Sequence, residues 1–172
     1  MVTDMASPAD GLRDEIVSLL PRLRRFARVL ARQPADADDL VQIVVERALM
    51  RLDQFQPGTR FDAWLFAMTR NAWIDETRSR ARRGKVFAAE EDGVDVGVDG
   101  ARVVEGRLDA LDMQAALATL PEEQRSAIAL VCIEGLAYRE AAEAMGVPMG
   151  TLTSRLARGR ETLEKLLGGD AS

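Results

Sequence analysis

Apolar residues in this chain recur at three- and four-residue spacing, and nowhere do strand formers alternate with polar residues over a useful length. That periodicity predicts an all-α fold. It is clearest over residues 12–32, where Leu23, Phe26, Ala27 and Leu30 share one stripe and Arg22, Arg24, Arg25, Arg28 and Arg32 lie mostly off it. The expected element is an amphipathic helix with a basic face, which Pro21 either starts or kinks. A second helix is expected to open near Asp36 to Asp39, where carboxylates favour a helix N-terminus, and to run through Leu40, Val44, Ala48 and Leu52 to about Phe55. Pro57-Gly58 ends it. Two more helices follow, Phe61 to about Arg70 and about Ala72 to Arg83, with Trp64, Leu65, Met68 and Ile74 as the expected buried set.

The periodicity then stops. Residues 90–100 form an acidic run punctuated by glycine with no helical repeat, as expected of a flexible linker. A calcium-loop reading of this run fails on spacing: counted from Asp95, Gly97 falls at the third position and Gly106 at the twelfth, where glutamate is required. The linker divides the 172 residues into a first helical domain at 1–84, a connecting segment at 85–108 and a second domain at 109–172. In the second domain, helices are expected at about 109–119, 122–134, 138–145 and 149–167, with Pro121 and Gly135 between them.

Charge follows the same blocks. The net charge is -5, which on average argues against a non-specific polyanion binder, yet residues 21–35 carry +5 and residues 60–83 carry +3. Arginine supplies 21 of the 23 basic side chains, which suits bidentate recognition of phosphate and guanine and equally follows from GC-rich coding. The chain has no histidine and one cysteine, Cys132, so neither a disulfide framework nor a thiol or mixed metal site is available. Cys132 lies in the apolar stretch Ile128 to Ile133 and is expected to be a buried, inert thiol. With no nucleophile motif, no glycine-rich phosphate loop and no paired carboxylates, the expectation is a protein without catalytic residues, metal or cofactor. No signal layout and no apolar run of roughly 20 residues is present, which predicts a cytoplasmic location.

Residues 136–156 carry the most information. Small Ala142 lets two helices cross closely, Gly146 four residues later can take a left-handed turn, Pro148 suits the first turn of a helix, and Leu152 packs that helix back. This is helix-turn-helix spacing. Thr151, Thr153, Ser154, Arg155 and Arg158 decorate the start of the second helix, where hydroxyls and amides hold phosphates and arginine reads guanine. The alternative is a helical hairpin with a solvated basic face. The other basic island interleaves Trp64, Phe66 and Trp73 with Arg70, Asn71, Arg78, Arg80, Arg82 and Arg83, a mixture suited to stacking and reading unpaired bases, although each aromatic taken alone fits the core.

Four segments in register, Asp38-Asp39-Leu40-Val41-Gln42, Phe61-Asp62-Ala63-Trp64-Leu65, Arg70-Asn71-Ala72-Trp73-Ile74-Asp75 and Gly150-Thr151-Leu152-Thr153-Ser154-Arg155-Leu156, resemble the extracytoplasmic-function sigma factors, over about residues 12–167. The resemblance implies two helical DNA-binding domains that direct core RNA polymerase to promoters, duty in a stress response, and commonly restraint by an anti-sigma factor. It implies that Asp38, Asp39, Gln42 and Arg47 dock on polymerase. Asn71 and a loop around it would take a flipped base of the -10 strand, with Arg70, Asp75 and Arg78 nearby. Thr153, Ser154, Arg155 and Arg158 would read the -35 duplex, Thr151 and Arg160 would meet phosphates, and the acidic linker would imitate RNA in the exit path. The pattern departs from the family at Ile43, where an acidic residue is usual, at Thr153, where many members have arginine, and at Ala157. Two rivals explain less: a dimeric helix-turn-helix repressor leaves the Trp64 to Arg83 island unused, and a polymerase adaptor without DNA contact leaves both arginine faces idle.

Overall fold

In the computed structural model, backbone is described for residues 7–87 and 105–168, and these residues form seven α-helices with no strand among them. Helix α1 (Pro8–Leu30) begins with Pro8 at its first position, while the Ser7 N–H donates to the Asp10 carboxylate at 3.3 Å. Pro21 lies inside α1, so it neither starts nor ends the helix. The predicted stripe is buried: Leu23, Phe26, Ala27 and Leu30 are each at most 1% exposed. Burial of such a face, more than intrinsic propensity, is what holds a helix in place.

Helix α2 (Pro34–Met50) buries Ala37, Leu40, Val41, Val44 and Ala48 against α1 and ends five residues earlier than expected, giving way to a single 3-10 turn at Leu52–Gln54. Helix α3 (Phe61–Phe87) is one element of 27 residues where the sequence suggested two. The reason is plain from the composition: Arg70-Asn71-Ala72 contains neither proline nor glycine, and a lone asparagine inside a helix costs only about 0.7 kcal/mol or less. Of the expected buried set, Leu65 is fully buried while Trp64, Met68 and Ile74 are half-buried. Phe66 is buried instead, its ring meeting that of Phe26 edge-on at 5.2 Å.

The second domain comprises α4 (Glu105–Thr119), α5 (Glu122–Ile128), α6 (Tyr138–Met145) and α7 (Met149–Leu167). Helix α5 passes into a π-helical turn at Ala129–Ile133, closed by the Glu134 N–H donating to the Ala129 carbonyl. Helix therefore extends to Phe87 and resumes at Glu105, inside the 85–108 connecting segment; the acidic run at 90–100 lies outside the described residues.

Between α6 and α7, Gly146 takes φ +64°, and the N–H groups of Gly146 and Val147 reach back to the carbonyls of Glu143 and Ala142. This pattern ends α6 in a left-handed turn that only glycine adopts without strain. Ala142 and Leu152 are 3% and 0% exposed, as the helix-turn-helix spacing requires. Gly159 supplies a second close approach: a Cβ there would meet the Ile128 side chain at 3.0 Å, so α7 lies directly on α5.

Candidate nucleic-acid interface

Helix α7 presents Thr153, Ser154, Ala157, Arg158 and Arg160 to solvent, with Leu152, Leu156 and Leu163 beneath them in the core. Ser154 and Arg158 are four residues apart and share one outward face. The Thr153 hydroxyl donates to the Met149 carbonyl at 2.9 Å, and Thr151 is half-buried. Arg155 stands apart from this outward face. Its guanidinium pairs with Glu123 of α5 at 2.9 Å, its side chain is only 19% exposed, and one terminal nitrogen is buried without an acceptor. In this conformation Arg155 ties α7 to α5, and an N–H donor remains unspent.

Arg160 donates to the Cys132 sulfur at 3.5 Å, and its hydrogen bonds to Cys132 and Tyr138 hold its guanidinium more firmly protonated. Cys132 is exposed, contrary to the buried thiol expected from its apolar neighbours. The π-helical turn is the physical reason: one added residue per turn moves the following side chains off the phase that the α-helical period assigns to them.

On α3, Asn71, Asp75, Arg78 and Arg82 are all exposed, and at 100° per residue they fall within about 60° of one another. They form a polar stripe along continuous helix, so no loop surrounds Asn71. Arg82, named in the basic island but outside the -10 set that the resemblance implies, belongs to this stripe; the i, i+4, i+7, i+11 spacing is the signal that finds it. Arg70 is on a different face, 7% exposed, with the Glu122 carboxylate 3.5 Å from its Nε and the Met145 carbonyl 3.4 Å from a terminal nitrogen. Of the aromatics, Phe66 is core, Trp73 is 9% exposed beneath Arg80, and Trp64 is half-buried in a cluster with Phe55 and Phe61. Trp64 also lines a groove of about 440 Å³ with Gly58, Thr59 and Arg60 on one side and Arg139, Glu140 and Glu143 on the other.

Helix α2 exposes Asp38, Asp39 and Gln42, with Arg47 half-buried. Gln42 stands between two grooves, one of about 630 Å³ toward Arg24 and Arg28 of α1 and one of about 340 Å³ toward Trp73 and Arg80 of α3. Leu49 and Met50 extend the exposed face of α2 at 44% and 74% exposure, giving the mixed polar and apolar surface that suits a protein partner. Ile43 is half-buried against the core. Arg80 bridges the helices: it donates to both oxygens of Asp36 and to Glu76, which lowers the Asp36 carboxyl below its usual range.

Asp62, at the start of α3, is buried yet stays acidic. Burial raises its carboxyl, but hydrogen bonds from Arg60, Arg22 and the Ala63 N–H outweigh that and leave it below the ordinary 3.8. A carboxyl lowered by folding stabilises the fold fully above its unfolded value and loses that contribution as pH falls through the folded value. Asp62→Asn is therefore expected to destabilise the chain at neutral pH, with the difference from wild type closing in strong acid. Urea midpoints taken from about pH 6 down to about pH 3 measure this, and a wild-type-minus-variant difference that does not shrink would contradict it.

Among the described residues no group of three or more His, Cys, Asp or Glu side chains could hold a metal, and no helix is long and apolar enough to cross a membrane. Two helical modules, each with an exposed polar helix face and the second built on a helix-turn-helix, define a DNA-binding transcription factor. The profile of Sigma-70 region 2 matches residues 16–83, and that of Sigma-70, region 4 matches residues 110–163. The chain is 38% identical over 169 residues to a protein of Rhodopseudomonas palustris named ECF RNA polymerase sigma factor EcfG, spanning 95% of this chain and 88% of that one. It is also similar to the sigma factor RpoE from Bartonella quintana, solved in complex with the anti-sigma factor NepR, at 32% identity and a TM-score of 0.79 over 93% of this chain and 98% of the other. CnrH, solved in complex with the cytosolic domain of CnrY, matches at 25% identity and a TM-score of 0.65 over 95% and 96% of the two chains. The chain belongs to the extracytoplasmic-function sigma factors.

Proposed function

We propose that this chain is a transcription initiation factor that binds core RNA polymerase in the cytoplasm and directs it to -35 and -10 promoter elements in a stress response. The observation that carries this reading is the pairing, in one chain, of an exposed recognition helix on α7 with the exposed Asn71, Asp75, Arg78 and Arg82 stripe on α3. A repressor of the simple helix-turn-helix type employs the first and leaves the second idle. The domains are assigned as 1–84 and 109–172, joined by 85–108. In this reading Asn71, Asp75 and Arg78 meet the -10 strand, and Arg82 extends their stripe. Thr151, Thr153, Ser154, Arg158 and Arg160 meet the -35 duplex, Arg155 joining them on release from Glu123. Arg70 joins the -10 set once it is freed from the second domain. The chain supplies binding and orientation, and polymerase supplies the chemistry. An anti-sigma factor is its expected restraint, as in the NepR and CnrY complexes of its relatives.

Asp39 and Gln42, with Asp38 and Arg47 beside them, form the polymerase-docking set. Asp39→Ala combined with Gln42→Ala is expected to reduce co-elution with core polymerase while helical circular dichroism stays at the wild-type level. Both side chains are exposed, and substitutions at such positions shift stability by about 0.5 kcal/mol or less. Undiminished co-elution sinks the docking assignment. The whole reading is tested by run-off transcription with core polymerase on promoter templates, with gel shift of the chain alone as control: no polymerase-dependent initiation overturns it.

A further inference from the structure

Among the described residues, a dense set of polar bonds spans the boundary between the two domains. Among the described residues every ion pair across it runs the same way, with arginine from the first domain and glutamate from the second: Arg22 and Arg25 to Glu134, Arg60 to Glu140, Arg70 to Glu122. Glu134 is the centre. Its side chain has no exposed surface, and it accepts from Arg25 through both oxygens at 2.9 Å and from Arg22 at 3.1 Å. Arg22 also donates to the Glu134 main-chain carbonyl at 2.9 Å and to Asp62 at 3.0 Å, and it lies over the Phe66 ring. Glu140 serves both sides at once, accepting from the Ala137 N–H at the start of α6 and from Arg60.

Arg70 is held less well. It is nearly buried, its Nε has no hydrogen-bond partner, and its remaining contacts at 3.4 and 3.5 Å are long for a charged pair. A guanidinium with an unspent donor gains when a better acceptor is offered, and a phosphate is such an acceptor. We infer that the second domain acts as an intramolecular stand-in for nucleic acid: its glutamates occupy the arginines of the first domain, close the two domains on each other and withhold Arg70, and a polyanion opens this clasp by competing for the same side chains. The inference rests on the proposed function for the nucleic-acid role of Arg70, while closure itself stands on the ion pairs alone. Closure here uses only the chain's own residues, in an arrangement whose two domains superimpose together on a relative solved with an anti-sigma factor bound.

The clasp is partly wet. The side chains of Arg25, Arg60 and Arg22 keep 51%, 45% and 29% of their surface exposed, so salt screens the pairs they make. The test uses the full chain carrying Cys132→Ser, with dyes on Met50→Cys and Leu166→Cys, both exposed positions on opposite domains. Energy transfer is expected to be high in dilute buffer and to fall by about 0.5 M salt, where screening is short-ranged. Glu134→Arg is expected to lower transfer in dilute buffer, and adding Arg22→Glu with Arg25→Glu to restore it by reversing the pair.

Glu122→Gln with Glu134→Gln and Glu140→Gln should open the chain and raise its affinity for a single-stranded oligonucleotide about tenfold, because the competent fraction of molecules grows. Asp112→Asn with Glu161→Gln and Glu164→Gln removes the same charge from exposed positions of the same domain and should change affinity far less. Unchanged transfer in Glu134→Arg, with circular dichroism intact, overturns the clasp. Opening with no greater gain in affinity than the control overturns the stand-in role. Failure of the wild-type holoenzyme to initiate at promoters would overturn the functional reading instead and leaves the transfer measurements unaffected.

Discussion

Phe26→Ala is expected to cost about 3–5 kcal/mol of folding free energy, the largest effect of any substitution considered for this chain. Phe26 is 0% exposed in the C-terminal third of α1, between Leu23 and Leu30 on its own helix and edge-on to Phe66 of α3. Truncation removes the transfer free energy of the ring and leaves a cavity that α1 and α3 close only in part. The lost edge-to-face pair accounts for about 0.5–1.5 kcal/mol of that cost. Against a total stability of about 5–15 kcal/mol this is a large share, and at roughly 2–4 °C per kcal/mol it lowers the melting temperature by about 10 °C. Because α1 also carries Arg22 and Arg25, a loosened α1 should weaken the link to Glu134 as well. Phe26→Leu keeps most of the volume and should cost much less. Urea titration followed by circular dichroism measures both, and a Phe26→Ala cost under about 1 kcal/mol would show that this stripe is not the core.

The helix-turn-helix was legible from residue type and spacing because each of its requirements is local. Ala142, Gly146 and Leu152 are fixed by steric facts within a dozen residues, and the φ of +64° at Gly146 is what its position demands. The α1 stripe was legible for the same reason. What the chain conceals is non-local. Arg22 and Arg25 are separated from Glu134 by 112 and 109 residues, and no periodicity relates them. The π-helical turn before Glu134 adds to the concealment by shifting the phase of the residues after it, which is also why Cys132 emerges at the surface. Arg70 and Arg155 show the limit of reading charge as exposure: both belong to basic islands, and both are held by glutamates, Glu122 and Glu123, at the start of α5. The single helix α3 was missed because a change in residue character at Asn71 resembles a boundary, although nothing there breaks a helix.

The two exposed arrays should fail in different ways when each is altered, because an unpaired base and a duplex make different demands. Arg158 is exposed on α7 and free of carboxylate partners among the described residues, so Arg158→Ala is expected to weaken binding of duplex promoter DNA by about 1–3 kcal/mol if its guanidinium reads a base. Discrimination should then vanish at one position of the -35 element. If it meets phosphate alone, the loss should be alike across sequences and the salt dependence shallower. Arg155→Ala carries an added structural term, since it also breaks the 2.9 Å pair with Glu123; comparison with Glu123→Gln, which loosens the pair while keeping the guanidinium, separates the two. Asn71→Ala should leave closed-complex binding nearly intact and impair strand opening, because a base reaches Asn71 only after unstacking at a cost of a few kcal/mol. Its defect should shrink on a pre-melted template if opening is limiting and persist if base identity is. Promoter-variant binding measures the α7 effects and permanganate footprinting of the holoenzyme measures the α3 effect. Equal defects at the opening step for Asn71→Ala, Arg155→Ala and Arg158→Ala, with duplex binding untouched, would show that α7 is not the duplex reader.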